Sequence, residues 1–424
     1  MKVISYNNSG KTFYSICNHQ YIPVHHLITY YLQVQLANKA TNTIERKAYE
    51  LLFALKYFNK RKIDLISDVE SLKFFSEEEI SIFAKSCKLK LSTLDSEAVI
   101  PIISEVALRN LMARNQPTKN IVDEGTAKGR FDTFVHFYKF VFNRCHGHAQ
   151  LPHDKQVNYN KCLIELVTSR KSLGSWKKSF SDPFQSNFPD EKYFELLDIT
   201  QAKSNKNPFH SKIRNELIIK IFIETGLRRG AVAKLKISDV FNDRQPRIRV
   251  TRTPDDITDK RRYKASQKTK AHVSPISAEL ASKIEYYIKE VRANIPNTQT
   301  HEFVFVTEKN SRNTLGQPLS LRSYNQIFEK ISNTLSVEVT PHILRHKWNE
   351  IFDVDIDSLS KELNLDYQTK EDVRKYAMGW SANSKMADIY NNFRLALKTK
   401  EYHLNRQKDL SSKISKIASL NISN

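Results

Sequence analysis

Four residues in the second half of the chain have, in order, the types that cutting a phosphodiester requires: Arg228, His342, Arg345 and Tyr390. A guanidinium group donates two parallel hydrogen bonds to phosphate oxygens and keeps its proton, so two arginines can clamp a phosphate. A tyrosine hydroxyl has an ordinary pKa near ~10, so it needs help from a base such as His342 to attack at neutral pH. These side chains indicate a tyrosine that attacks DNA without a metal ion.

Three segments carry these residues, and each lies where a helix is expected to begin or end. Glu224–Arg228 closes an apolar helical run at a glycine. The segment at 340–346 reads Thr-Pro-His-Ile-Leu-Arg-His, and Met378-Gly379-Trp380 ends a later helix at a second glycine. Tyr390 follows the tryptophan by ten residues. Taken singly, each residue also fits an ordinary role as a helix end, a cap or a packing tyrosine, so their joint order carries the hypothesis.

The composition indicates a folded protein with a polyanionic partner. The 424 residues are 40% hydrophobic and 10% aromatic, enough for packed cores, and their number predicts two domains, with three as the alternative. The net charge of +21 favours nucleic acid, although a basic soluble protein is the plain alternative. No apolar run reaches the ~18 residues of a spanning helix, so we expect no membrane association.

Cysteine and motif content predict a reducing, cytoplasmic location and no bound cofactor. Four widely spaced cysteines form no disulfide framework, and the first residues lack the apolar stretch of a signal peptide. No P-loop motif is present, so no nucleotide chemistry is expected. Cys145, His146, His148 and His153 have the types of metal ligands but lack zinc-finger spacing, and we expect no metal.

The first half is predicted to be helical. Residues 43–59 and 126–143 place apolar side chains three and four residues apart, the spacing of amphipathic helices. The aromatic residues of the second stretch are predicted to lie in a core, with stacking on bases as the alternative. Residues 169–190 lack a helical period and are predicted to be a linker. We therefore expect a helical DNA-binding domain over 1–185 and a catalytic domain over 186–424, with a tail from about 398.

The second half is predicted to mix helices with a little strand. One helix face runs from Ile213 to Phe222. Alternation from Arg247 to Arg252 predicts a strand, and the chain on to Ile276 is typical of a β-hairpin or three-stranded meander. Phe303–Val306 is a further strand candidate. Ser320 is predicted to cap a helix whose inner face holds Tyr324, Ile327, Phe328, Ile331 and Leu335.

Two further helices are expected around the glycine at 379. Thr369 and Asp372 have the spacing of a capping box for the helix that ends there. Ser384 is predicted to begin the next helix, with an inner face of Met386, Ile389, Phe393 and Leu397.

The second half resembles the catalytic domain of the tyrosine recombinases, the phage-integrase family. Over roughly residues 190–400, the family's T-G-L-R motif stands as Thr225–Arg228, its T-P-H-x-L-R-H box as Thr340–His346, and its later G-H or G-W pair as Gly379-Trp380, with Tyr390 as the nucleophile. The first half is only compatible with the family's helical core-binding domain. The resemblance implies a mainly α fold with a small β-sheet, and assigns Trp380 to the catalytic set.

The resemblance also implies a catalytic lysine on a β-hairpin, which gives the leaving 5′ oxygen its proton. The stretch before Pro275 selects Lys268, with Lys264 and Lys270 as alternatives. Residues 244–270 hold ten basic and three acidic side chains, so a hairpin that merely contacts phosphates is a compatible reading. The chain departs from the family where an acidic residue is usual, at Ala231, and in a gap from the tryptophan to the tyrosine that is one residue longer.

The implied activity is site-specific DNA recombination for a mobile element. It proceeds through a 3′-phosphotyrosine and a Holliday junction, in a homo-tetramer on paired sites of double-stranded DNA, with accessory DNA-bending proteins as further partners. A type IB topoisomerase-like enzyme that relaxes DNA and a regulator that binds DNA without cutting are the rival functions. Leu410, Ile414 and Ile417 form an apolar stripe in the tail, predicted to dock on a neighbouring protomer or on its own domain.

Overall fold

A computed structural model describes residues 1–8, 11–91, 121–148, 150–173, 188–253, 255–267, 269–310, 313–363 and 366–384, with separate positions between 395 and 413. The chain divides into two compact units, Met1–Phe180 and Ser181–Asn424. Both are mainly helical, and each holds one small antiparallel sheet. The predicted fold class, mainly α with a small amount of β, is confirmed.

The N-terminal unit combines a β-hairpin with helices. Its described elements are β1 (Lys2–Asn8), β2 (Lys11–Cys17), α1 (His26–Tyr30), which continues as a π-helical turn (Tyr31–Gln35), α2 (Thr41–Lys60), α3 (Leu65–Glu70), α4 (Glu77–Ser86), α5 (Glu124–His146) and α6 (His153–Ser172). The long helices α2 and α5 pack on each other, and α5 also packs on α3 and α6.

The core of this unit is built from aromatic rings on facing helices. Phe134 of α5 lies 4.6 Å from Phe83, 5.2 Å from Phe58 and 5.8 Å from Phe75, measured between ring centroids. All six apolar residues of the predicted α5 stripe are buried, namely Phe131, Phe134, Phe137, Tyr138, Val141 and Phe142. The core prediction for this stripe is confirmed, and the rings are not available to stack on bases.

Two predictions for the first half need correction. The chain begins with a hairpin rather than a helix, in which Lys2 pairs with Cys17 and Asn8 with Lys11. Because successive side chains of a strand point to opposite faces, Tyr14 and Ile16 of β2 lie on the same face, and both are buried. The predicted linker at 169–190 begins too early, because α6 continues to Ser172. Residues 174–187 of that linker lie outside the described part of the chain.

The C-terminal unit places a three-stranded sheet among its helices. Its described elements are α7 (Asp190–Thr200), α8 (Lys212–Thr225), α9 (Arg229–Lys234), β3 (Val240–Phe241), β4 (Arg247–Val250), β5 (His272–Pro275), α10 (Ala278–Tyr286), which continues as a π-helical segment (Tyr287–Arg292), α11 (Leu321–Leu335), α12 (Pro341–Leu363) and α13 (Tyr367–Ala377). Short 3-10 turns lie at Ile237–Asp239 and Thr298–Thr300. Helix α8 packs on α10 and α12, and α13 packs on β5.

Helix ends in this unit follow local chemistry. The side chain of Ser320 accepts a hydrogen bond from the Ser323 amide, and the five predicted inner residues of α11 are buried, as expected. The predicted capping box at Thr369 is wrong, because Asp366 caps α13 by accepting from the Thr369 amide. The helix predicted to begin at Ser384 falls mostly on residues outside the described part of the chain.

The sheet has the antiparallel order β3-β4-β5, and β4 pairs with β5 from Arg247 opposite Pro275 to Val250 opposite His272. The predicted hairpin is confirmed, although the third strand precedes it. Phe303–Val306 is not a strand: only its end residues form isolated bridges, with Lys236 and Pro318. No helix in the described part of the chain is long and apolar enough to cross a membrane.

Candidate active site

The first arginine follows a sharp turn between α8 and α9. Gly226 has a φ of 59°, a left-handed conformation that a glycine adopts without strain. A Cβ atom there would lie 2.9 Å from atoms of Met378 and Trp348, so the position also has no room for a side chain. Arg228 then caps α9 in an extended conformation. The glycine therefore sets the direction in which the chain presents Arg228.

The second arginine ties this turn to another part of the unit. Arg345 lies in α12 and is only 3% exposed. Its Nη1 donates to the Gly226 carbonyl at 2.7 Å, and its Nη2 donates to the Met378 carbonyl at 3.2 Å. The two carbonyls come from segments that are 119 and 33 residues away from Arg345 in sequence. One guanidinium group thus joins three of the segments that the sequence singled out.

The tryptophan of the G-W pair lies in the same cluster. Trp380 is buried, and its ring centroid is 5.8 Å from the guanidinium carbon of Arg345. Gly379 has a φ of 64°, and its carbonyl accepts a hydrogen bond from the Lys270 amide at 2.8 Å. The end of α13 is therefore joined to the start of β5, and the basic β4–β5 connection is brought to the arginines.

His342 is an exposed residue in the first turn of α12, where the Thr340 hydroxyl accepts from the Ile343 amide at 3.2 Å. Partial burial, Arg345 and Arg228, in that order, lower the pKa of His342 from its ordinary value. Because Arg228 and Arg345 both act on this ring, the three side chains form one electrostatic group. A neutral imidazole is the form that can accept a proton.

The structure describes two of the three candidate lysines, Lys264 and Lys270. Lys264 is buried, and its ammonium donates to the Asp256 carbonyl at 3.0 Å, which gives it a structural role. Lys270 is exposed beside Gly379. Lys268 and Tyr390 lie outside the described residues, so their places in the cluster stay predictions. Tyr376, a tyrosine on α13 four residues before Trp380, is 63% exposed.

Two histidines near the arginines were not given roles by the sequence. His272 of β5 is buried, its Nδ1 lies 3.1 Å from the Lys270 carbonyl, and its Nε2 has no hydrogen-bond partner among the described residues. Burial first, and Arg345 second, lower its pKa. His346 lies one helical turn after His342, at the i, i+4 spacing that makes two helical residues neighbours. That spacing was a usable signal, whereas His272 approaches the site through strand pairing.

The cysteine and histidine segment of α5 has a structural place. The Nε2 atom of His146 lies 3.0 Å from the Val69 carbonyl. Within the described ranges, no three His, Cys, Asp or Glu side chains come close enough to hold a metal ion. At the position where the family usually has an acid, Ala231 is buried in the core of the unit.

Known proteins resemble this chain across both units. Residues 190–353 match the phage integrase family. Transposase A from transposon Tn554 of Staphylococcus aureus is 24% identical over 361 residues, which cover 82% of this chain and 85% of the relative. Tyrosine recombinase XerD of Halalkalibacterium halodurans is 22% identical over 156 residues, covering 36% of this chain and 44% of XerD.

A solved structure gives the same result for the fold. The XerH site-specific recombinase, in a post-cleavage complex with its palindromic difH substrate, superimposes with a TM-score of 0.50 and 18% identity. The match covers 86% of this chain and 81% of XerH. The two arginine motifs that meet at Gly226 thus lie within a segment, residues 190–353, that matches the phage integrase family, and the chain shares the fold of this recombinase.

Proposed function

We propose that this chain is a site-specific recombinase that cuts and rejoins double-stranded DNA through a 3′-phosphotyrosine, with Tyr390 as the nucleophile. The observation that carries the proposal is the position of Arg345, whose two hydrogen bonds join the Arg228 turn to the segment that leads into Trp380. The relatives support a role in a mobile element, because the Tn554 protein is named a transposase.

The proposed chemistry uses charge and proton transfer alone. The Oη atom of Tyr390 forms a bond to phosphorus while the bond from phosphorus to the 5′ oxygen breaks. The tyrosine proton passes to His342, and the 5′ oxygen takes a proton from Lys268. Arg228 and Arg345 stabilise the negative charge that grows on the phosphate oxygens, an effect worth ~3–4 kcal/mol per donor. The reverse of these steps rejoins a strand, so phosphodiester energy is conserved.

The N-terminal unit is proposed to hold duplex DNA. A groove of about 580 Å³ in this unit is lined by Lys39, His136, Lys139 and Arg144, and its described lining contains no acidic residue. The basic side chains of this groove favour contact with phosphates as the mode of binding. Each phosphate neutralised contributes about −0.9 to the slope of log affinity against log salt. Six or more contacts would give a slope of about −5 or steeper.

The proposed assembly is a tetramer on two DNA sites. Residues 402–411 are helical, and each of them is exposed, including Tyr402, Leu404 and Leu410. Exposed apolar side chains on a short helix are consistent with docking on a neighbouring protomer. The predicted partners of Leu410 in the stripe, Ile414 and Ile417, lie outside the described residues.

Covalent trapping tests the proposed function. Nicked suicide duplexes, tiled across the DNA that flanks the gene, are incubated with the full chain in EDTA and without ATP. We expect a gel-stable adduct with the wild type and with the control Tyr376→Phe, and none with Tyr390→Phe, which should still bind DNA. Binding without an adduct on any tile would support the regulator. Adducts and relaxation, without exchange between paired sites, would support a topoisomerase-like enzyme.

A further inference from the structure

His342 and His346 form a pair of rings that share one hydrogen. Their Nε2 atoms are 3.0 Å apart, and the ring centroids are 4.4 Å apart with the planes nearly perpendicular, at 82°. A hydrogen bond between two imidazole nitrogens needs one N–H donor and one bare acceptor. When both rings are neutral, one ring therefore carries its hydrogen on Nε2 and the other carries it on Nδ1.

This contact decides which nitrogen of His342 meets the substrate. The Nε2 atom of His342 is occupied by His346, so Nδ1 is the nitrogen left for a phosphate or a tyrosine hydroxyl. If Nε2 of His342 carries the hydrogen, Nδ1 is a bare acceptor and can act as a base. If His346 donates instead, Nδ1 of His342 carries a hydrogen and can donate to a phosphate oxygen. The position of a single hydrogen switches His342 between these two roles.

We propose that His346 is a positioning residue that fixes the tautomer of His342 and shares the proton that His342 takes up. The proposal rests on the proposed function, in which His342 receives the proton of Tyr390. When that proton reaches Nδ1 of His342, the hydrogen on Nε2 of His342 moves towards Nε2 of His346. One proton enters the pair, and the hydrogen between the two Nε2 atoms lets both rings share its positive charge. Reversal of the same steps returns the proton when the strand is rejoined.

The charges around the pair support a neutral resting state. Partial burial, then His342 and Arg345, lower the pKa of His346 to about 4. His342 is lowered in the same direction by burial, Arg345 of its own helix, and Arg228 from the turn before α9. Both rings are therefore neutral at neutral pH in the DNA-free protein. A phosphate held by the arginines brings negative charge, which favours the protonated pair at the moment a proton is released.

A double-mutant cycle separates this role from simple packing. His346→Phe keeps a ring of similar size but removes both nitrogens, and His346→Gln keeps a hydrogen-bonding group that cannot hold a proton. We expect each to slow adduct formation by about 10- to 100-fold, part of the usual effect of general acid–base groups. His342→Gln should be slower still, and adding His346→Gln to it should cause little further loss. His210→Gln, an exposed histidine in the same unit, serves as the matched control and should keep the wild-type rate.

The tautomer is measured separately from activity. Long-range ¹H–¹⁵N spectra of the DNA-free full chain, labelled in histidine, report which nitrogen of each ring carries hydrogen. The His342 signals, assigned by their loss in His342→Gln, should show one tautomer in the wild type and an averaged pair in His346→Phe. Because this readout needs no DNA, it tests the pair even if the wild type forms no adduct, a result that would overturn only the proposed function.

Two results would overturn the role of His346. One is an unchanged His342 spectrum in His346→Phe. The other is additive loss of rate in the double variant, which would mean that His346 acts independently of His342. If His346→Phe fails to fold, the comparison of His346→Gln with His342→Gln still decides, since both replacements are polar. A wild-type rate and pH profile in His346→Gln would exclude proton sharing.

Discussion

The interiors of the two units are built from different side chains. In the N-terminal unit, Glu50 is the one charged residue buried among those the structure describes. The described part of the C-terminal unit buries many charged side chains, namely Arg214, Glu216, Lys234, Asp239, Asp259, Lys264, Arg292, Arg345, Lys347, Asp353, Glu371 and Arg374. A buried charge is costly unless it is paired or hydrogen-bonded. We therefore expect these buried charges to make specific hydrogen bonds and ion pairs in the second unit, which aromatic rings cannot make.

Two further arginines of the C-terminal unit hold loops by donating hydrogen bonds to backbone carbonyls. Arg292 donates to the carbonyls of Phe303, Thr298 and His301. Arg261, paired with Asp259, donates to the carbonyls of Ala233 and Leu319. Burial of rings stabilises helix on helix chiefly through their apolar area, which is a non-directional effect, whereas the hydrogen bonds of a guanidinium fix loops at set distances and angles. An aromatic core is therefore suited to the N-terminal unit as a scaffold. Hydrogen-bonding arginines are suited to the C-terminal unit, where loops must be held in place around the candidate site.

The largest effect is expected from breaking the aromatic core. Phe134→Ala should destabilise the N-terminal unit by about 3–5 kcal/mol, because it leaves a cavity among five other rings. The thermal transition of that unit should move down strongly, as followed by calorimetry. Tyr49→Ala, at a ring on α2 that is 54% exposed, is the control and should shift it little. Equal shifts for the two variants would mean that the rings of α5 do not carry the stability of this unit.

Arg345 tests the role of a buried arginine at the site itself, because it both joins loops and belongs to the proposed phosphate clamp. Arg345→Ala should lower adduct formation by about 100-fold or more. Arg345→Lys should not restore full activity, since an ammonium lacks the two-pronged geometry. The measurement is single-turnover cleavage, under conditions where the variant is shown to be folded. Full activity in the lysine variant would argue against the clamp.

Arg292 tests the same kind of bond away from the site. Arg292→Met should cost about 3 kcal/mol, because three carbonyls lose a charged donor. The cleavage rate of the folded fraction should stay near that of the wild type. Lys289→Met, three residues earlier in the π-helical segment, removes an exposed ion pair with Glu285 and should change the stability little, because water screens such pairs. Urea unfolding compares the two, and similar losses would show that burial of the guanidinium does not matter.

The smallest effect concerns pH and His346. Its pKa in the folded chain is about 4, against 6.5 ordinarily, so the unfolded chain binds more protons between these values. The contribution of His346 to the free energy of unfolding is therefore fully present above about pH 6.5. It is lost as the pH drops towards 4, by about 1–3 kcal/mol for this group. His346→Phe should flatten this part of the stability curve, measured by urea unfolding at several pH values. An unchanged curve would show that His346 titrates normally in the folded protein.

Sequence reasoning succeeded where one element contains its own signal. The spacing of rings in α5 predicted a buried face, and the glycine after α8 predicted a left-handed helix end. It failed where two local signals compete or where partners are distant. Asp366 and Thr369 are both residue types that can cap the start of a helix. In the structure, Asp366 is the residue that caps α13. The four apolar residues from Phe303 read as a strand, yet their neighbours bridge only the two ends.

The candidate site shows the same division. Residue order and motif predicted Arg228, His342, Arg345 and Trp380 as site residues, but not which carbonyls hold Arg345 in place. Those bonds join positions 119 and 33 residues apart, and they depend on how α8 and α13 pack around α12. No local pattern encodes such a distance. His272 was missed for the same reason, since its approach to Arg345 follows from the pairing of β5 with β4.

The hydrogen bonds of Arg345 also bear on how such a protein fails. The guanidinium proposed to hold the phosphate is kept in place by the turn at Gly226 and by the carbonyl of Met378. A chain in which either segment has opened loses the geometry of the clamp along with its own packing. An incompletely folded or damaged copy is therefore expected to be inert towards DNA instead of nicking it at random. For a protein proposed to cut DNA, loss of structure is therefore expected to remove the cutting activity with it.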